Sequence, residues 1–76
     1  MNLPRLYVMS GRYEHARRFA KSKGITLLHW ISGDEQMRGL RDITVYVLPS
    51  AYSIVNFDRM MSLARIQGFK MIHVRG

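Results

Sequence analysis

The sequence predicts an α/β fold: a small four-stranded, mostly parallel sheet in strand order 2-1-3-4, made of two β-α-β halves with helices on both faces. Three observations lead there. Strand-sized apolar runs alternate with amphipathic stretches of helical period, the pattern of βαβ units. A glycine closes each amphipathic stretch, at Gly24 and at Gly68. The two halves also resemble each other in sequence.

Residues 6–9 form a short apolar run ended by Ser10-Gly11 and read as the first strand. A helix comes next over residues 12–23, with Tyr13, Ala16, Phe19 and Ala20 on one face and Gly24 where a left-handed cap belongs. Residues 25–31 are apolar enough for a second strand covered on both faces. Ser32-Gly33-Asp34-Glu35 has the spacing of a capping box, and Gly39 is a stop signal shortly after it, so residues 33–38 read as a short helix. Residues 43–48 are rich in β-branched and aromatic side chains and form a third strand, ended by Pro49. A loop over residues 50–55 leads to Asn56, a good N-cap. Phe57, Met60, Met61 and Ala64 then mark the buried face of the second helix, and residues 69–74 form the last strand.

Residues 8–13 match residues 47–52 at an offset of 39, whereas Phe19, Ala20, Lys21, Gly24, Ile25 and His29 match Leu63, Ala64, Arg65, Gly68, Phe69 and His73 at an offset of 44. The second half thus carries five extra residues before its helix. Duplication and shared helix-Gly-strand grammar both account for the match. The 11 residues between strands 2 and 3 barely suffice for a parallel crossover, which leaves an antiparallel second strand as the structural alternative.

The 76 residues make one domain, 1–76, near the lower size limit for independent folding. No cysteine is present, which removes disulfides, thiolate metal sites and cysteine nucleophiles. No apolar run could span a bilayer, and Met1-Asn2-Leu3-Pro4-Arg5 does not begin a secretory signal, so a cytoplasmic protein is expected. Twelve Lys and Arg against five Asp and Glu leave a net charge of +7, and nine of the cations are Arg, the residue suited to bidentate contacts with phosphate or carboxylate.

In a 2-1-3-4 order, strands 1 and 3 are neighbours whose connections depart to opposite faces, a switch point where open α/β sheets bind ligands. Ser10, Gly11, Arg12 and Tyr13 from one loop and Ser50, Tyr52 and Ser53 from the other fall there. Backbone N–H groups at the start of the first helix, helped by Arg12, suit an anion, with Ser10, Gly11, Tyr13 and Tyr52 around it. The plainer reading is that Ser10 and Gly11 cap the helix while the tyrosines pack over the sheet end.

Catalytic patterns are weak. The Ser10-Gly11 loop lacks the second glycine and the Lys-Ser/Thr pair of a phosphate loop. The carboxylates are few and scattered: Glu14 has the spacing to pair with Arg18, and Glu35 fits the capping box. His15, His29 and His73 show no metal-ligand spacing, and the two strand histidines read as satisfied side chains. No catalytic residue, metal site or cofactor is expected.

Two surface features remain. Arg17, Arg18 and Lys21 point away from the apolar stripe of the first helix, with Lys23 near its end, while Arg38 and Arg41 flank Gly39. These suit a phosphate backbone, with a solvated face as the plainer reading. On the second helix, Leu63 and Ile66 rimmed by Arg59 and Arg65 suit a protein contact. Met60-Met61 reads as gap-filling core.

The segment Met37-Arg38-Gly39-Leu40-Arg41-Asp42-Ile43-Thr44-Val45-Tyr46-Val47-Leu48 resembles the stretch leading into the metal-binding strand of phage terminase and helicase ATPases. In that family the strand ends in acidic residues. Here it ends in Pro49-Ser50, so no catalytic role carries over. The whole chain looks like the small α/β accessory proteins of tailed phages, a group that includes inhibitors of host enzymes. The chain is therefore expected to be a non-enzymatic, phage-like accessory protein, and its basic surface, Arg17, Arg18, Lys21, Arg38 and Arg41, is what would engage nucleic acid or a nucleoprotein machine. The alternative is an inhibitor docking on an acidic surface of a host enzyme such as RNA polymerase. Neither reading involves a membrane or a metal.

Overall fold

The structure, a computed structural model, describes residues 5–75. The N-terminal stretch read as lacking a secretory signal lies outside these residues up to Pro4. Strands β1 (Arg5–Met9), β2 (Leu27–Ile31), β3 (Thr44–Val47) and β4 (Lys70–His73) form one sheet in the order β2-β1-β3-β4, every neighbouring pair parallel. The short connection between β2 and β3 therefore does make a parallel crossover, and the antiparallel alternative falls. Helices α1 (Tyr13–Ser22) and α2 (Phe57–Ile66) link the strands of each half.

Period-two alternation divides the core into two layers. Leu6, Val8 and Leu48 face α1 and cluster with its Ala16 and Ala20. Met9, Ile31, Val45 and Val47 face the other way, onto Met60 and Ala64 of α2 and onto Met37. Right-handed crossovers require this split: β1→β2 and β3→β4 step across the sheet in opposite directions, so their helices take opposite faces. Both helices end on glycines in the left-handed region, Gly24 at φ +69° and Gly68 at φ +76°. The next residue folds back each time, Ile25 N–H donating to the Ala20 carbonyl (3.1 Å) and Phe69 N–H to that of Ala64 (2.9 Å).

Several expectations need correction. β2 is an edge strand with a single strand neighbour, so it is not covered on both faces: Leu27 is exposed, Leu28, His29 and Trp30 are half-buried, and only Ile31 is buried. The segment after it is one turn of 3₁₀ helix, Asp34–Met37, with no side-chain cap. Tertiary bonds hold the carbonyls at and after its end. His29 Nε2–H donates to the Gln36 carbonyl (2.9 Å), and Gln67 Nε2 donates to those of Met37 (2.8 Å) and Leu40 (2.7 Å). Residues 49–53 are not an open loop but a second 3₁₀ turn, Pro49–Ser53. It delivers the chain to α2 through backbone bonds from Ile54 N to Ala51 O and from Phe57 N to Ile54 O, and the Asn56 side chain makes no capping bond. Glu14 and Arg18 do not pair; the one ion pair among the described residues joins Arg59 to Asp34 (3.3 Å).

Candidate functional site

At the carboxyl ends of the strands, β1 and β3 part to opposite faces, and the chain segments leaving them meet over the gap. Gly11 N–H donates to Ser50 Oγ (3.0 Å), and Ser53 Oγ donates to the Ser50 carbonyl (2.7 Å). The approach is close enough to require glycine, since a Cβ on Gly11 would stand 2.6 Å from the Ser50 carbonyl oxygen. His15, in the first turn of α1, brings Nδ1 to 2.9 Å from Ser50 Oγ. The pair shares one proton: either the serine hydroxyl donates to Nδ1 and Nε2 carries the ring hydrogen, or Nδ1–H donates to the hydroxyl oxygen, which then keeps its own proton free.

His15 and Ser50 stand at one end of a groove of about 590 Å³ between one flank of α1 and the ends of β3 and β4. Phe19, Leu48 and Val74 give it an apolar lining, and Arg18 and Arg75 are among the residues that border it. A second groove, about 750 Å³, runs along the opposite flank of α1 beside β2, with Arg17 and Lys21 on the helix and Ile25 and Leu28 below. Both exist because α1 lies on its sheet face without a neighbouring helix.

The five residues read as an anion site do not converge. Ser10 is fully buried, and its hydroxyl donates to the Arg12 carbonyl (2.7 Å) while accepting from Trp30 Nε1 (3.0 Å). The Gly11 N–H is taken by Ser50. Arg12 is exposed at the N-cap of α1. Tyr13 packs edge-on against Trp30 of β2 (5.5 Å between centroids), whereas Tyr52 leans toward β4, stacked on His73 and sharing a 2.7 Å hydrogen bond with its Nδ1. The two tyrosines pack toward opposite edge strands.

The cations divide as well. Arg17, Arg18 and Lys21 are exposed along α1. Arg38 and Arg41 are exposed on the connection whose Met37 and Leu40 pack into the α2 layer, on the far side of the sheet. On α2, Arg59 is tied to Asp34 and Leu63 turns partly into the core, so Ile66, 80% exposed, is the apolar remnant of the expected protein-contact patch.

Sequence reasoning placed Ser50 at the switch point but gave it no role, and it missed His15 and Arg75. One signal was available: the 39-residue offset sets Ser50 opposite Gly11, its partner in the fold. His15 gave none, because its partner is 35 residues away. Among the described residues, no three His, Asp or Glu side chains gather closely enough to hold a metal, and no helix is long and apolar enough to cross a membrane. No protein-family model, curated protein or solved structure matches the chain.

Proposed function

We propose that this protein is a non-enzymatic binding module whose α1 face engages the phosphate backbone of nucleic acid, free or within a nucleoprotein machine. One observation carries the reading. Arg17, Arg18 and Lys21 line the outer side of α1 in solvent, with Arg12 and Lys23 at its ends, and none of them is neutralised by an ion pair among the described residues. Unpaired arginines on one exposed helix release counterions when they meet phosphates, which is the main source of sequence-independent affinity. Arg38 and Arg41, across the sheet, would make a second contact, reached by a flexible strand or by another part of a larger assembly.

Two features support a non-catalytic role. Among the described residues, no carboxylate lies within ion-pair distance of His15 to orient its ring, and the Gly11 N–H binds the Ser50 hydroxyl rather than standing free for an oxyanion. A phage accessory protein working in the cytoplasm, as the sequence resemblance implies, fits such a module.

Titration of labelled single- and double-stranded DNA and RNA at several salt concentrations tests the proposal. Affinity should fall steeply with salt, and Arg17→Ala and Lys21→Ala should each flatten the salt slope by about one unit. Absence of binding at low salt would end the nucleic-acid reading. Shallow salt dependence, with capture of an acidic host enzyme lost on Ile66→Asp, would replace it with the inhibitor reading.

A further inference from the structure

The groove beside the His15–Ser50 pair has the dimensions and chemistry of a ligand site. Its volume, about 590 Å³, falls within the range of pockets that take small molecules and cofactors. It opens outside the carboxyl ends of β3 and β4, the end of a parallel sheet at which folds of this kind bind ligands. Its lining is divided. Phe19, Leu48 and Val74 offer an apolar surface for a flat, weakly polar body. The polar side chains that border it are Arg18, Arg75, His15, Ser22 and Ser50, with no carboxylate among the lining residues.

This combination selects a narrow class of ligand. Two guanidinium forks, with the one proton that the His15–Ser50 pair has left to donate, are more donors than one carboxylate can satisfy, whereas a terminal phosphate presents three acceptor oxygens and up to two charges. The apolar lining matches a planar heterocycle attached to that phosphate. We propose that the groove is a binding site for a nucleotide bearing a terminal phosphate, its base on Phe19, Leu48 and Val74 and its phosphate held by Arg18, Arg75 and the His15–Ser50 end. The choice of a nucleotide over another phosphorylated planar molecule rests on the nucleic-acid reading above; the groove's charge and apolar lining do not.

Two sources offer the same chemistry, a free mononucleotide and the phosphorylated end of a strand. NMR titration of the full chain with adenosine monophosphate should move the resonances of His15, Phe19, Ser50 and Arg75 saturably, and adenosine or inorganic phosphate alone should bind at least about tenfold more weakly. Ser22→Trp, which fills the groove from an exposed position on α1, should abolish the response. Arg75→Ala, a change beyond the last strand that leaves the core intact, should weaken binding about tenfold. Both variants should bind duplex DNA with the wild-type salt slope. An oligonucleotide that binds more tightly with a 5′-phosphate than without one identifies a strand end as the source; equal binding of the two, with saturable adenosine monophosphate, identifies the free nucleotide. No saturable response to adenosine monophosphate, or a response that survives both Ser22→Trp and Arg75→Ala, overturns the site whatever duplex DNA does. The duplex titration alone decides the backbone reading, so the two failures are distinct.

Discussion

The two β-α-β halves share a backbone plan and differ in what surrounds the helix. Both helices have ten residues, and Tyr13–Ser22 and Phe57–Ile66 stand 44 positions apart throughout, as do the closing glycines and their fold-back hydrogen bonds. Yet Ala16 of α1 corresponds to Met60 of α2, and Arg17, Arg18 and Lys21 correspond to Met61, Ser62 and Arg65. Helix α2 shares its face with the 3₁₀ turn Asp34–Met37, through the Arg59–Asp34 pair and the bonds from Gln67. Helix α1 packs on the sheet, where its two buried alanines let it sit close, and its tie to another element is the His15–Ser50 contact. One helix is built into the core and the other lies over it, with both flanks open. The arrangement leaves the α1 half free to carry unpaired charge and grooves, while the α2 layer, with nine buried residues against five, carries most of the packing.

The largest expected effect tests that division directly. Met60 is fully buried, and Met60→Ala should destabilise by about 2–4 kcal/mol in urea unfolding, because the rigid surroundings cannot fill the space. The reciprocal Ala16→Met should overpack the α1 layer and cost about 1–3 kcal/mol. If Met60→Ala cost no more than a surface substitution, the claim that α2 carries the packing would be wrong.

Next comes the seam between the halves. Gly11→Val places a side chain against the Ser50 backbone, which must move for it to fit, so a loss of about 2 kcal/mol is expected, with the His15–Ser50 contact disturbed in the NMR spectrum. Gly33→Ala, whose Cβ would approach nothing nearer than 3.4 Å, is the control and should stay within about 0.5 kcal/mol of wild type. Equal effects would mean that the halves do not depend on this close approach.

The smallest effects compare the helix ends. Gly24→Ala and Gly68→Ala both force a side chain into the left-handed region, and each should lower stability by about 1 kcal/mol. Gly24 faces open space, whereas a Cβ on Gly68 would meet the Asp42 carboxylate, so the second should cost more. Thermal unfolding of the two variants side by side measures the difference. The reverse order would show that Asp42 moves aside freely.

Local signals account for what was readable in advance. The helix-closing glycines, the β-branched third strand and the short apolar run of residues 6–9 each act within a few residues, and each element appears where the pattern put it. The strand order came from crossover rules, and with it the placing of Ser50 over the switch point. Expectations failed where a local pattern had a distant competitor. Ser32 and Glu35 have capping-box spacing, but no side-chain cap forms, and the turn is held from its carbonyl end by the distant His29 and Gln67. The apolar run around Leu27 and Leu28 reads like a buried strand, and its edge position alone leaves it half-covered.

By itself, then, the sequence determined the elements, their order in the sheet, the helix positions Ala16, Ala20, Met60 and Ala64 that are buried, and the excess of positive charge. Backbone preference and hydrophobic period are short-range properties, and net charge is a sum. Tertiary structure decided which groups meet. It turned Ser10 inward beneath Trp30, joined His15 to Ser50, brought Arg75 beside Arg18 at one groove, and put Arg38 and Arg41 across the sheet from Arg17. Those partners lie many residues apart along the chain. Their meeting depends on which strands pair and which face each helix takes, and the composition of either segment alone does not carry that information.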